Sequence, residues 1–176
     1  MKETILLILG FVLINNYTMN SALGLVPLLG FSSQRGKILT LGLSVTGVTV
    51  AAAALLWLLR GAIPAHFRIL AAVVIVLVLL YLLQLICGKK LGLWFPLIAL
   101  NGAVLGLALN VAEAETLGTV IVSALGVGLG FLFALFLFAG LQKRIEPEHL
   151  PKSWRGFPIQ ILAAAIVALA LTAFQF

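Results

Sequence analysis

From Ile69 to Cys87 the chain reads ILAAVVIVLVLLYLLQLIC, 19 residues without a charge. A run of that length and composition matches the roughly 20 residues a helix needs to cross a bilayer core of about 30 Å. It does not alternate polar and apolar residues, so it is no barrel strand. Similar runs recur along the chain. Of its 176 residues 63% are hydrophobic and only 9% charged, against roughly a quarter charged in a soluble domain. Too little polar surface exists to cover a globule in water. The expected fold class is all-α integral membrane.

Six spans can be read. The first begins near Thr4; the others are Ile38–Leu59, Ile69–Cys87, Leu91–Leu109, Leu117–Leu141 and Phe157–Phe174. The longest connection runs from Gln142 to Gly156, so the chain reads as a single membrane domain with no soluble part to hold a nucleotide. The N-terminal apolar run could be mistaken for a secretory leader, but Glu3 offsets Lys2 and the next segment is itself membrane-like; it is read as a retained span. The lone Cys87 excludes an internal disulfide.

Charge sets the expected orientation. Eight of the 11 basic residues (Arg35, Lys37, Lys89, Lys90, Lys143, Arg144, Lys152 and Arg155) fall on the first, third and fifth connections. Lys2, Arg60 and Arg68 fall on the other side, with Glu113 and Glu115. Cytoplasmic loops carry the excess of Lys and Arg. Both termini are therefore expected outside a bacterial-type inner membrane, and the net charge of +6 reflects topology rather than nucleic-acid binding. Trp94 and Trp154 near span ends fit an interfacial aromatic belt.

The first span departs from this simplicity. In FVLINNYTMNSALGLVPLLGF, residues 11–31, Asn15 and Asn16 interrupt the apolar run, and Gly24 and Pro27 follow as residues where a helix can stop. Thr4 to Ile14 is 11 residues, about 16 Å of helix, which puts the asparagines near the midplane. Unpaired amides in hydrocarbon cost several kcal/mol, so these side chains face protein or water. The fourth span, FPLIALNGAVLGLAL, repeats the pattern of Phe-X-Leu-Ile, an asparagine (Asn101) and a Leu-Gly-Leu step. Three spans apart, the halves (about 1–90 and 91–176) would run in opposite senses, as in an inverted repeat of three helices each. Spans one and four are expected to break near the midplane and turn their ends and amides toward an ion or cofactor path. Asn15, Asn16, Gly24, Pro27, Pro96, Asn101 and Gly106 are its candidate residues. By contrast, Gly126, Gly128 and Gly130, with Gly42, Gly47 and Ala51, read as close-packing positions.

These residues carry a family resemblance. Asn15-Asn16, Leu23-Gly24-Leu25-X-Pro27 and Gly30-Phe31-Ser32 resemble the first span of the Rnf/Nqr membrane subunits, in the RnfA/NqrE branch. Gly92-Leu93, Phe95-Pro96-Leu97-Ile98 and Asn101-X-Ala103-Val104-Leu105-Gly106 resemble the fourth, and Arg155-Gly156 before Ile159 the tail. The resemblance implies a membrane subunit of a redox-driven Na⁺ or H⁺ translocating electron-transport complex. It implies a homologous six-helix partner in opposite orientation, or a second copy of the chain, and flavin- or iron-sulfur-carrying subunits. In that family each member of the pair gives two cysteines to an intramembrane iron-sulfur centre. Here the corresponding positions are Val26 and Gly102, which offer iron no lone pair. This chain is expected to bind no metal and no cofactor of its own.

Two other classes stay open: a small inverted-repeat transporter or channel, and a structural scaffold subunit. No catalytic constellation marks a stand-alone enzyme. His66 and His149 lie on opposite sides, Glu113 and Glu115 read as a solvated loop, and no acid lies within a span.

Overall fold

The computed structural model describes residues 2–14, 16, 35–87, 101–111, 114, 116–145 and 151–172. Among these, all regular structure is helical. The helices are α1 (Lys2–Leu9), extended by a π-helical turn at Gly10–Ile14, α2 (Arg35–Leu59), α3 (Arg68–Cys87), α4 (Gly102–Val111), α5 (Leu117–Gln142) and α6 (Phe157–Thr172). Short 3₁₀ turns at Ala65–Phe67 and Lys152–Trp154 precede α3 and α6. Among the described residues, three segments are long and apolar enough to cross a bilayer: Ile38–Leu59, Ala65–Leu85 and Leu117–Gln142. They coincide with the second, third and fifth expected spans. The described parts of the first, fourth and sixth are shorter helices, and Asn15, Gly24, Val26, Pro27, Pro96, Trp94, Glu113, Glu115 and His149 lie outside the described residues.

Local chemistry explains the boundaries. Thr116, in extended conformation, caps α5 by accepting the backbone N–H of Thr119 at 3.2 Å, so the helix starts where the apolar run begins. Before α6, Gly156 turns the chain at φ +87°, a left-handed geometry that glycine adopts without strain. One expectation needs correction: Arg35 and Lys37 form the first turn of α2 instead of a loop. Nothing in Arg-Gly-Lys stops a helix.

The core is the seam between α2 and α5. Ile38, Leu41, Val45, Ala52, Phe131, Leu135 and Phe138 are buried together with Val76 and Leu80 of α3 and Ala163, Ala164 and Val167 of α6. Small residues set the spacing. A Cβ at Gly128 would stand 2.6 Å from the Thr46 side chain, and one at Gly42 would stand 2.6 Å from Leu132. The pairs 42–132 and 46–128 make α2 and α5 antiparallel. Phe11 beside Gly126 and Asn16 beside Gly130 make the first span parallel to α5. Lys2, Arg60 and Ala114 thereby share one end of the bundle, and the start of α2 shares the other with Lys143.

The close-packing reading holds for Gly42, Gly126, Gly128 and Gly130 and fails for Gly47, which is exposed with nothing within 4 Å of an added Cβ. Gly128→Val should therefore cost about 1–3 kcal/mol through overpacking. Gly47→Ala should be neutral or stabilising by up to about 1 kcal/mol. Thermal unfolding in detergent checks both, and equal destabilisation by the two would remove Gly128 from its role at the seam.

Candidate functional site

The first half-helix ends in the interior. Lys2 to Ile14 climbs in an α-helix that loosens into a π turn, and Asn16 then lies in non-helical backbone, 1% exposed. A helix that stops inside protein leaves its last carbonyls without donors. The Asn16 amide supplies one: Nδ2 donates to the Val12 carbonyl at 2.9 Å and to the Gly130 carbonyl at 3.0 Å. Gly130 lies in the middle of the 26-residue α5, so Asn16 meets α5 at its mid-length. The approach requires glycine. A Cβ at Gly130 would meet the Phe11 carbonyl oxygen at 2.9 Å and Asn16 Nδ2 at 3.3 Å, and one at Gly126 would meet Phe11 Cβ at 2.9 Å.

The second half-helix starts in the interior. Asn101 is fully buried and precedes α4. Its Oδ1 accepts the Ala103 N–H at 3.1 Å, and its backbone carbonyl accepts the Val104 N–H at 3.1 Å. This is N-capping, which satisfies two donors of the first turn. Its Nδ2, also buried, has no hydrogen-bond partner among the described residues. α4 has 10 residues, about 15 Å, so it covers half a bilayer core. Gly102 opens it and Gly106 follows a turn later. The two half-helices share one apolar cluster: Ala103, Leu107 and Val111 of α4 pack with Ala53, Val120, Ala124 and Val127, and Phe11 packs against the same group.

The polarities at mid-depth are opposite. The first span brings a carbonyl end, with partial negative charge; α4 brings an N–H end, with partial positive charge. The asparagines differ accordingly. Asn16 spends its two N–H donors on main-chain carbonyls, whereas Asn101 spends its oxygen on the helix and keeps an amide donor in reserve.

Sequence reasoning missed a second fixture. At the end where α4 leaves the bundle, the Ala114 carbonyl accepts the Trp57 Nε1–H at 3.0 Å and an Arg60 guanidinium N–H at 2.7 Å. Arg60 also stacks over the Trp57 ring at 4.3 Å from its centroid, a cation–π contact. The i, i+3 spacing of Trp57 and Arg60 at a span end was the available signal. Their shared acceptor, 54 residues away from Arg60, had none. Cys87 closes α3 and His66 lies exposed in a 3₁₀ turn. Among the described residues no group of three or more His, Cys, Asp or Glu could hold a metal ion.

Comparison with known proteins matches residues 4–176 to a family model described as Rnf-Nqr subunit, membrane protein. A subunit of the ion-translocating oxidoreductase complex of Syntrophotalea carbinolica is 36% identical, over 99% of this chain and 97% of the relative. Its counterpart in the Na(+)-translocating ferredoxin:NAD(+) oxidoreductase complex of Acetobacterium woodii is 33% identical, over 97% and 96%. The equivalent chain of Rhodobacter capsulatus, also named for an ion-translocating oxidoreductase complex, is 31% identical over 99% and 97%.

The asparagines separate experimentally. Asn16→Leu should lower stability by about 1–3 kcal/mol, because it strips a donor from buried carbonyls. Asn101→Ser keeps a capping oxygen and should keep the fold, while Asn101→Leu loses the cap at a cost of about 1 kcal/mol. If the free Nδ2 matters, Asn101→Ser should assemble normally yet reduce turnover of the complex. Full turnover in Asn101→Ser would make Asn101 a cap and nothing else. Ser123→Leu, on α5, serves as the packing control.

Proposed function

The chain belongs to the Rnf-Nqr family of membrane subunits, and from that premise we propose that it is a membrane component of a redox-driven, ion-translocating oxidoreductase complex. It is one multi-pass part of a larger assembly, not a stand-alone enzyme. The full-length matches to relatives named as subunits of such complexes support this reading.

Within that role the chain keeps the family's frame and gives up the family's ligands. The single observation that carries this is Gly102, which opens α4 directly after the buried Asn101. Where an iron-sulfur centre would take a thiolate from this position, glycine offers a hydrogen, and Val26 offers only methyl groups at the other position. The donor set therefore does not fit the cluster, and no step of electron transfer is assigned to this chain. Its contribution is a pair of half-helices held at mid-depth with opposed dipoles beside a homologous six-helix subunit of opposite orientation or a second copy. Flavin- and iron-sulfur-carrying subunits would complete the assembly. The amide of Asn101 and the main-chain carbonyls near Asn16 are the groups that could line an ion path, with Gly106 allowing close approach along α4. Such a path would use carbonyls, hydroxyls and amides, because no carboxylate lies within a span. That composition suits Na⁺ better than a proton relay.

Iron and acid-labile sulfide analysis of the isolated chain should give no stoichiometric iron and no visible absorption of a cluster. Stoichiometric iron that survives removal of every other subunit would show that other residues hold it. Orientation is tested with single-cysteine variants at Lys143 and Arg60. Labelling of the Lys143 site from the cytoplasm and of the Arg60 site from outside is expected, and the reverse pattern would invert the topology.

A further inference from the structure

At the basic end of the bundle a cavity of about 220 Å³ opens between α2 and α5, lined by Ile38, Phe136, Ala139, Gly140 and Lys143. A water takes only about 30 Å³ of liquid, so the space suits a larger guest. Its floor is apolar: Ile38 and Ala139 are buried in the main core. Its wall is Phe136, 47% exposed. Gly140 is also exposed, and nothing stands within 4 Å of an added Cβ. A glycine inside a helix costs about 1 kcal/mol relative to alanine, and at Gly140 neither packing nor backbone turn requires it. What the missing side chain does is leave the groove open.

The mouth carries charge. Lys143 and Arg144 follow α5 directly and are exposed, and Arg35 and Lys37 form the first turn of α2 at the same end. Glu146 and Glu148 follow in sequence, outside the described residues, leaving more bases than acids. A cation set above an apolar groove at the edge of a membrane span matches an amphiphile with an anionic head. A free inorganic anion would gain nothing from the apolar walls. Basic pockets between spans on the cytoplasmic side attract anionic headgroups.

We propose that this groove binds one anionic phospholipid, with its phosphate held by Lys143 and an acyl chain lying over Gly140 against Phe136. The inference needs only the membrane setting and the basic end, not the fate of the cluster.

The test is native mass spectrometry of the intact complex, delipidated and then titrated with phosphatidylglycerol or phosphatidylcholine of matched chains. One phosphatidylglycerol per copy should be retained, with a preference of roughly fivefold over phosphatidylcholine, equivalent to ~1 kcal/mol from a basic residue. Lys143→Gln should erase the preference, and Gly140→Leu should remove the bound lipid. Equal retention of the two lipids, or retention that survives Gly140→Leu, would refute the site. Displacement by millimolar inorganic phosphate would mean a free-anion site and refute it too. A photoreactive residue at Phe136 in otherwise unchanged protein decides the matter if Gly140→Leu does not assemble: a lipid adduct supports the proposal, and an adduct with protein alone overturns it.

Discussion

A helix that stops in the middle of a membrane protein must have its open end satisfied by protein, because lipid offers neither donors nor acceptors. Here that task falls to one amide. Asn16 Nδ2 joins the carbonyl of Val12, in the last turn of the first half-helix, to the carbonyl of Gly130, at the centre of α5. The close approach rests on two glycines: Gly126 leaves room for the Phe11 side chain and Gly130 for the Phe11 carbonyl, at distances no Cβ would allow. Gly128, between them on the same helix, performs the same service for Thr46 of α2. Three glycines in alternate positions thus hold two different helices on two faces of α5.

The far end of α4 is fixed in a different manner. Where the inner contact uses absent side chains, the end near Ala114 uses two of the bulkiest, with the Arg60 guanidinium stacked on Trp57 and both donating to one carbonyl. That carbonyl follows α4 by three residues, and Ala114 N–H in turn donates to the Val111 carbonyl. α4 is consequently tied at both ends: by Asn101 capping at mid-depth and by the Trp57–Arg60 clip at the surface. A half-helix of 10 residues has too few internal bonds to be stable alone. Its position is imposed by these anchors and by the cluster around Ala103 and Leu107.

Much of this frame was legible in the sequence. The spans at Ile38–Leu59 and Leu117–Gln142 announce themselves, since the bilayer demands about 20 apolar residues and chain length reports that directly. The need of Asn16 for protein partners was legible as well, because 11 residues from Thr4 to Ile14 reach only half of the core before the chain meets asparagine, and Asn16 is buried and bonded to main-chain carbonyls. What stayed hidden was the choice of partners. Gly47 and Gly128 look equivalent on paper, yet one faces open space and the other Thr46. Only the crossing of helices distant in sequence separates them. The π turn at Gly10–Ile14 likewise has no local signature.

The asparagines looked like counterparts, and the geometry makes them opposites. Asn16 closes a carbonyl end and is held by that work, so its removal is expected to act on folding. Asn101 opens an N–H end with its oxygen, and the same geometry turns its Nδ2 away from every acceptor among the described residues. A buried amide donor left alone costs about 1–3 kcal/mol, a cost that a merely structural cap such as serine would avoid. Asn101 therefore differs from Asn16 in keeping one buried donor without a partner among the described residues.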